Sequence, residues 1–356
     1  MTALLDIDLG AVAENWRYLA GLSQGETAAV VKADAYGLGA ARVAPVLAEA
    51  GCKIFFTAHL AEAVALRAML PQARILALNG LMPHTPADFI AHDIMPVLGS
   101  LAELALWRAA AVRLEHRLPA FLHIETGMNR LALTARELTA LRDAPELLEG
   151  VSVDTVLTHL VAADTPPDER NQRQLQEFLA KAAQFPGAKR SIANSPGIFL
   201  GPEYHLGLIR PGAALYGLNT SPAQPARMRP VVTLSAPILQ IHDIPAGAAV
   251  GYGGSWRAKR PSRIAVLGVG YADGLHRTLT NRGSAYFDDT PVPLVGRVSM
   301  DLATFDVTDV PANPGDLLVL LDSRHGADEL GHEAGTIGYE ILTSLGRRYQ
   351  RRYNGA

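Results

Sequence analysis

Four side chains that could carry out chemistry stand at or just after the ends of short apolar runs. These are Lys32, His159, Ser195 and Arg210. A lysine amine forms Schiff bases with aldehydes once burial or a nearby cation lowers its pKa from about 10.4. A histidine can carry protons, and an arginine can bind an anion. The fold would have to bring these residues together for them to act as one site.

The order of elements predicts how they are brought together. Up to about residue 220, apolar or β-branched runs alternate with segments of helical period, which is typical of repeated βα units. The eight runs span residues 28–31, 53–57, 74–78, 94–98, 120–124, 153–158, 190–193 and 206–209. Eight units favour an α/β fold with a parallel (β/α)8 barrel, whose active site forms where the strands end. We therefore expect the four side chains at one rim.

The loops after the seventh and eighth runs favour a phosphate site. Ser195 and Pro196 follow the seventh run, and Pro211, Gly212 and Ala213 follow the eighth. Such barrels commonly bind phosphate there, through loop amides and a short helix N-terminus. A lysine combined with a phosphate site and an arginine indicates pyridoxal 5'-phosphate (PLP) as the cofactor.

The character of the sequence changes in the proline-rich stretch SPAQPARMRP at 221–230. Beyond it, β-branched runs separated by turn residues predict a mainly antiparallel β domain, with a further helical segment at 337–349. We predict a barrel domain at 7–222 and a β domain at 223–356, and we expect residues 1–6 to join the β domain.

The composition argues against several classes of protein. The chain has 356 residues, of which 49% are hydrophobic and 19% charged, and a net charge of -3, so nucleic-acid binding is not expected. No run of about eighteen apolar residues is present, so no membrane span is expected. The single cysteine and an N-terminus without leader-like features predict a cytoplasmic location. The 11 histidines form no HExxH motif, so no catalytic metal is expected.

Nine motifs in register resemble the alanine racemase family. They are VVKADAYGLG at 30–39, ETGMNRL at 125–131, THL at 158–160, ANS at 193–195, RPGAALYGL at 210–218, GYG at 251–253, GYADG at 270–274, GRVSMD at 296–301 and TIGYE at 336–340. They cover nearly the whole chain. The resemblance implies a PLP-dependent homodimer of fold type III that interconverts L-alanine and D-alanine for peptidoglycan.

The resemblance also implies roles for residues of the barrel. Lys32 is similar to the lysine that binds PLP as a Schiff base and then serves as one of two proton carriers. His159 would pack beside the pyridine ring, and Arg210 would face the pyridine nitrogen. A guanidinium keeps its proton, so that nitrogen would stay neutral and the ring would be a weaker electron sink. The phosphate would be held by Tyr36, Ser195, Gly212, Ala213, Ile337 and Tyr339.

Tyr252 resembles the second proton carrier, which the partner subunit supplies in this family. Racemisation removes a proton from one face of Cα and returns one to the other, so two groups on opposite faces suit it. Arg130 resembles the arginine beside the cofactor phenolic oxygen and the substrate carboxylate. The partner would also supply residues at the substrate, Met300 and Asp301, and at its entrance, Tyr271 and Ala272.

Two positions depart from the family pattern. Ser191 stands where many relatives have a histidine that hydrogen-bonds the catalytic tyrosine, so Tyr252 would rely on another group. His123 stands where some relatives carry a lysine modified by carbon dioxide, so that modification is not expected here.

Three other functions remain compatible with parts of the sequence. A fold-type III decarboxylase would also bind PLP on a lysine, but it is expected to present an acid to the pyridine nitrogen, where this chain has Arg210. A non-catalytic PLP carrier would not need the β domain. A racemase with a broader or serine preference would differ at only a few pocket residues.

Overall fold

The first strand leads directly into a helix. Strand β1 (Leu4–Asp8) ends at Asp8, whose carboxylate accepts the Ala11 N–H at 2.8 Å and so caps helix α1 (Leu9–Leu22). These coordinates are a computed structural model, and it describes residues 2–221 and 228–355.

Short buried strands and helices then alternate, as the run pattern predicts. The strands are β2 (Glu26–Thr27), β3 (Ala29–Val30), β4 (Ile54–Thr57), β5 (Arg74–Ala77), β6 (Ile94–Leu98), β7 (Leu118–His123), β8 (Val151–Leu157), β9 (Lys189–Ser191) and β10 (Leu208–Ile209). The helices are α2 (Ala40–Glu49), α3 (Leu60–Met69), α4 (Pro86–Ala91), α5 (Leu101–Leu114), α6 (Ala135–Asp143) and α7 (Glu169–Ala182).

Backbone hydrogen bonds close these strands into a barrel. Strands β3 to β9 form a parallel sheet in chain order, and β10 pairs with β2. The Gly207 N–H donates to Arg190 O at 3.0 Å between β9 and β10. The Ala28 N–H, between β2 and β3, donates to Ile209 O of β10 at 3.0 Å. The predicted barrel is confirmed, and most of its strand residues are buried because helices cover the strands from outside.

A mainly antiparallel sheet follows the barrel, as predicted. Its strands and the short hairpin beside it are β11 (Val232–Ile244), β12 (Ala249–Val250), β13 (Trp256–Arg257), β14 (Ser262–Leu267), β15 (Ser284–Phe287), β16 (Thr290–Pro293), β17 (Ala303–Asp306), β18 (Leu317–Leu321) and β19 (Gln350–Asn354). Two helices precede β19, α8 (Ala327–Ala334) and α9 (Gly338–Ser344). The helix predicted at 337–349 is shorter: it ends at Ser344, and a turn at residues 347–348 leads into β19.

Strand β1 lies inside this sheet rather than in the barrel. It pairs antiparallel with β11 and parallel with β19, and the path of strands is β16-β15-β18-β11-β1-β19, with β14 attached to β11 and β17 attached to β14. The boundary predicted between 222 and 223 lies outside the described residues. The exact limits of the two domains stay a prediction.

Two features are absent from residues 2–221 and 228–355. None of the helices there combines the length and apolar character that crossing a membrane requires. In the same ranges, no group of three or more histidine, cysteine or acidic side chains is arranged to hold a metal ion.

Candidate active site

A cavity of about 500 Å³ lies at the carboxyl ends of the barrel strands. Seven of the residues predicted to bind the cofactor reach it from barrel loops, and two reach it from the C-terminal domain at the start of α9. The nine are Lys32, Tyr36, His159, Ser195, Arg210, Gly212, Ala213, Ile337 and Tyr339. The structure thus brings together residues more than 300 positions apart in sequence.

Lys32 begins a left-handed turn directly after the first barrel strand. Residues 33–36 all have φ between 52° and 55°, a region that residues other than glycine seldom adopt. The Glu62 carboxylate accepts the Ala33 N–H at 2.7 Å and the Ala58 N–H at 2.8 Å, which fixes the start of the turn against the next strand. The turn therefore directs Lys32 and Tyr36 into the same cavity.

The surroundings of Lys32 favour a neutral amine. Burial lowers the pKa of Lys32 below its ordinary value, and the positive charge of Arg130 lowers it further. The negative charge of Glu62 acts in the opposite direction but does not cancel these effects. The neutral form, which can act as a nucleophile or a base, is therefore more accessible than in an unperturbed lysine.

Gly212 allows a close approach of two hydroxyl groups. A Cβ at this position would lie 2.5 Å from the Tyr36 hydroxyl oxygen, so only glycine leaves room for that hydroxyl. On the other side, Ser195 Oγ accepts the Gly212 N–H at 2.9 Å and the Ala214 N–H at 3.2 Å. The Gly212 amide predicted to bind phosphate thus donates to Ser195 here, which leaves the Ser195 hydroxyl proton for a ligand.

Aromatic packing holds the phenols that face the same region. The Tyr36 ring lies 4.7 Å from the Tyr216 ring and 6.2 Å from the Tyr339 ring, centroid to centroid. Burial raises the pKa of Tyr36 and raises that of Tyr339 to about 12, so both phenols are neutral hydrogen-bond donors near neutral pH. Hydroxyl donors around a small cradle suit the oxygens of a phosphate group.

Arg210 is buried and held in place by two acceptors. Its Nη1 donates to Ser191 Oγ, and its Nη2 donates to Thr158 O at 2.6 Å. Ser191 Oγ in turn donates to Leu208 O at 2.6 Å. Burial lowers the pKa of Arg210 to about 10, which still leaves it charged at neutral pH. Ser191 therefore contacts Arg210, whereas Tyr252 lies on an exposed loop elsewhere.

Two histidines near this guanidinium are neutral. Burial, with the charges of Arg210 and Arg130, holds the pKa of His159 well below its usual range. Burial and the Arg210 charge lower the pKa of His123 to about 4. His159 Nε2 lies 3.4 Å from Asn194 Nδ2, which fits a neutral ring accepting a hydrogen bond from the amide. His123 consequently brings no negative charge to the position where some relatives have a modified lysine.

Gln174 is a positioning residue that the sequence analysis missed. It lies buried on α7, and its Nε2 donates to Thr126 Oγ1 at 3.0 Å and to His159 O at 3.1 Å. Its Oε1 accepts the Val161 N–H at 2.9 Å. One side chain thus ties the loop of His159 to the loop that leads to Arg130. The available signal was a glutamine on the buried face of an amphipathic helix, where an apolar residue is expected.

The other predicted site residues do not line the cavity. Arg130 lies exposed on the loop after β7 and acts on Lys32 through its charge. The remaining five lie in the C-terminal domain and form what we call the C-terminal face: Tyr252, Tyr271, Ala272, Met300 and Asp301. Their side chains are largely in solvent, with relative exposures of 70% for Tyr252, 44% for Tyr271 and 54% for Met300.

Hydrogen bonds between adjacent loops hold four residues of the C-terminal face together. The Tyr271 N–H donates to Ser299 O at 3.0 Å, and the Ala272 N–H donates to Met300 O at 3.0 Å. Asp301 accepts from Arg348 at 2.7 Å, which fixes the end of the same loop. The structure therefore holds these residues in defined positions without covering them.

Two family models match the chain. The model described as "Alanine racemase, N-terminal domain" matches residues 7–220, and "Alanine racemase, C-terminal domain" matches residues 231–353. Together they span most of the sequence in the order barrel, then β domain.

Known proteins match over nearly their whole length. An alanine racemase of Acidiphilium cryptum is 55% identical over 98% of this chain and 97% of its own. The structure of a Bartonella henselae alanine racemase with covalently bound pyridoxal phosphate aligns with a TM-score of 0.96, at 39% identity, over 99% of this chain and all of the other. A Bacillus anthracis alanine racemase with bound L-Ala-P has a TM-score of 0.88, at 27% identity, over 100% and 96% of the two chains.

Proposed function

The chain belongs to the alanine racemase family, and we propose that Lys32 and Tyr252 are the two proton carriers of its reaction. It is a PLP-dependent isomerase that interconverts L-alanine and D-alanine by a two-base mechanism and supplies D-alanine for peptidoglycan. The observation that carries the proposed roles is the convergence of an activated lysine, a hydroxyl cradle and a buried arginine on one cavity.

The residues of the cavity fit the cofactor. Lys32 offers the amine for covalent attachment, and Ser195, Tyr36 and Tyr339 offer neutral hydroxyl donors for the phosphate. Arg210 offers a cation that two protein acceptors already orient. When bound, pyridoxal phosphate makes the Cα proton of the amino acid more acidic by delocalising the electron pair left behind.

Side chains of the protein would carry out the proton transfer. Lys32 can take the Cα proton because burial and the Arg130 charge favour its neutral amine. By the resemblance, Lys32 takes this proton from D-alanine, and Tyr252 takes it from the opposite face of L-alanine. Arg130 lies on the same rim, where it would bind the substrate carboxylate as a bidentate donor.

We further propose that the protein acts as a homodimer and that the C-terminal face completes the site of the neighbouring subunit. Tyr252 is 70% exposed, and Tyr271 and Met300 are exposed as well, so a partner could bury large apolar side chains of this domain. A phenol outside the cavity of its own chain can serve a second subunit. A cytoplasmic location is part of the same proposal and rests on the single cysteine.

The most direct test uses the purified holoenzyme. Reduction with borohydride followed by peptide mass spectrometry should find the cofactor on Lys32, and the intact enzyme should form D-alanine from L-alanine. Lys32→Ala should lower this rate at least about 10⁴-fold, because the covalent attachment and one general base are lost together. Lys53→Ala is the matched control, since Lys53 is exposed just before β4 at the opposite end of the barrel. A cofactor found on another lysine would contradict the proposed role.

A further inference from the structure

A guanidinium in the last strand joins the turn that carries Lys32 to the end of helix α9. Arg351 of β19 donates from Nη1 to Gly37 O at 2.6 Å. Its Nη2 donates to Leu345 O at 3.2 Å and to Gly346 O at 3.3 Å. Gly37 directly follows the left-handed turn, and Leu345 directly follows α9. One side chain therefore contacts a barrel segment and a segment of the C-terminal domain, and each of these segments supplies residues to the cavity.

The turn depends on contacts with the rest of the protein. Left-handed backbone costs free energy at each residue other than glycine, and residues 33–36 are four such residues in succession. At its start the turn is held by Glu62, which accepts the Ala33 N–H. At its end the carbonyl of Gly37 is held by Arg351.

Two further observations place the turn firmly against the C-terminal domain. The Tyr353 hydroxyl, also on β19, donates to Leu38 O at 3.1 Å. A Cβ at Gly37 would lie 2.5 Å from Leu342 O of α9, so the backbones of turn and helix are almost in contact. The position of Lys32 is consequently set from outside the barrel as well as from within.

We propose that Arg351 is a positioning residue that sets the location of Lys32 relative to the α9 side of the cavity. The proposal rests on the proposed function of Lys32. Tyr339 and Ile337 belong to the beginning of α9, so a cofactor held between them and Lys32 requires a fixed separation of the two segments. Loss of Arg351 frees the end of the turn while leaving every cavity residue in the chain.

The chain offers a matched control in the next residue. Arg352 points to the other side of β19, where its guanidinium binds the Asp6 carboxylate of β1 at 2.6 Å and 2.7 Å. Arg352→Ala therefore removes an arginine from the same strand and breaks an ion pair without touching the turn.

The test combines hydrogen exchange with cofactor binding. In the holoenzyme, Arg351→Ala should speed amide exchange in residues 33–39 about 10-fold, because a charge-assisted hydrogen bond at the end of the turn is lost. The apoprotein of the same variant should bind pyridoxal phosphate about 10-fold to 100-fold more weakly. The rate kcat should fall more than KM rises, since Arg130 is unchanged. Arg352→Ala should change each quantity less than about twofold.

Conservative variants keep the test decisive if Arg351→Ala does not fold. Arg351→Lys should give intermediate exchange and affinity, because a single ammonium nitrogen cannot occupy the two positions from which Nη1 and Nη2 donate. Gly37→Ala should also weaken cofactor binding, because its methyl group would push the turn away from α9. Exchange and affinity equal to those of Arg352→Ala would overturn the proposal.

Failure of this inference is separable from failure of the proposed function. If borohydride places the cofactor on Lys32 and the Arg351 variants behave like Arg352→Ala, the inference alone is overturned. If the cofactor is on another residue, the proposed function of Lys32 and the inference are both overturned.

Discussion

The cofactor cavity and the C-terminal face differ in the burial and contacts of their predicted functional side chains. Around the cavity, Arg210, Ser195 and Lys32 are enclosed, and each has fixed partners or a perturbed pKa. On the C-terminal face, Tyr252 and Met300 are mostly in solvent although their loops are well defined. The residues proposed to bind the cofactor therefore lie within one chain, whereas the proposed role of Tyr252 as second proton carrier requires another surface to approach.

The largest expected effect that tests this difference between the two regions concerns Tyr252. Tyr252→Phe should lower racemisation about 10²-fold to 10⁴-fold, the usual contribution of a general base, while cofactor affinity stays unchanged. Mixing this variant with Lys32→Ala should restore part of the activity, because a hybrid dimer contains one intact site. The measurement is D-alanine formation before and after subunit exchange. Tyr18→Phe in α1 serves as the control, and absence of recovery despite proven exchange would contradict the shared site.

A smaller effect is expected at Ser191, which contacts Arg210 of the cavity. Ser191→Ala removes the acceptor of Arg210 Nη1 and the donor to Leu208 O, which should cost about 1–3 kcal/mol of unfolding free energy and lower kcat. Ser262→Ala in the β domain is the counterpart, since Ser262 is also buried and donates to Arg260 O at 2.9 Å. Denaturant unfolding and kcat should distinguish the two variants: both should lose stability, and only Ser191→Ala should lose rate. Equal rates would show that the support of Arg210 has no influence on catalysis.

The smallest expected effect concerns the pH at which Lys32 reacts. The Arg130 cation disfavours a protonated amine, so Arg130→Gln should raise the pKa of Lys32. Labelling of the apoprotein by an amine reagent requires the neutral form, and its midpoint should move to higher pH. The shift should be modest, because Arg130 is exposed and water screens its charge. Arg136→Gln also removes an exposed positive charge and should leave the labelling midpoint in place. An equal shift in both variants would show that net charge, and not the position of Arg130, sets the pKa.

Much of the barrel and its rim could be predicted because local pattern decides them. Buried parallel strands read as apolar runs, and the residue after each run comes to the rim by the geometry of the fold. Lys32, His159 and Arg210 were therefore predicted to lie together before any distance was known. Their motifs extended the prediction to Ile337 and Tyr339, which pattern alone would not have joined to the barrel.

Other features depend on contacts that no local pattern encodes. The segment KADAY has the composition of an ordinary helix, yet residues 33–36 are left-handed because Glu62 and Arg351 hold the two ends of the turn. Arg351 stands 314 positions from Gly37, so their hydrogen bond has no sequence signature. The partner of Ser191 was unpredictable for the same reason. Helix α8 was missed because it is only eight residues long.

The position of β1 in the C-terminal sheet has a consequence for how the protein is made. Its neighbours, β11 and β19, emerge from the ribosome more than 220 and more than 340 residues later. During synthesis the whole barrel can be completed while β1 waits with its backbone groups unpaired, which is a slow, non-local closure. The nascent chain should be most vulnerable to chaperone capture or aggregation just before Gln350–Asn354, the last strand to pair with β1, is released.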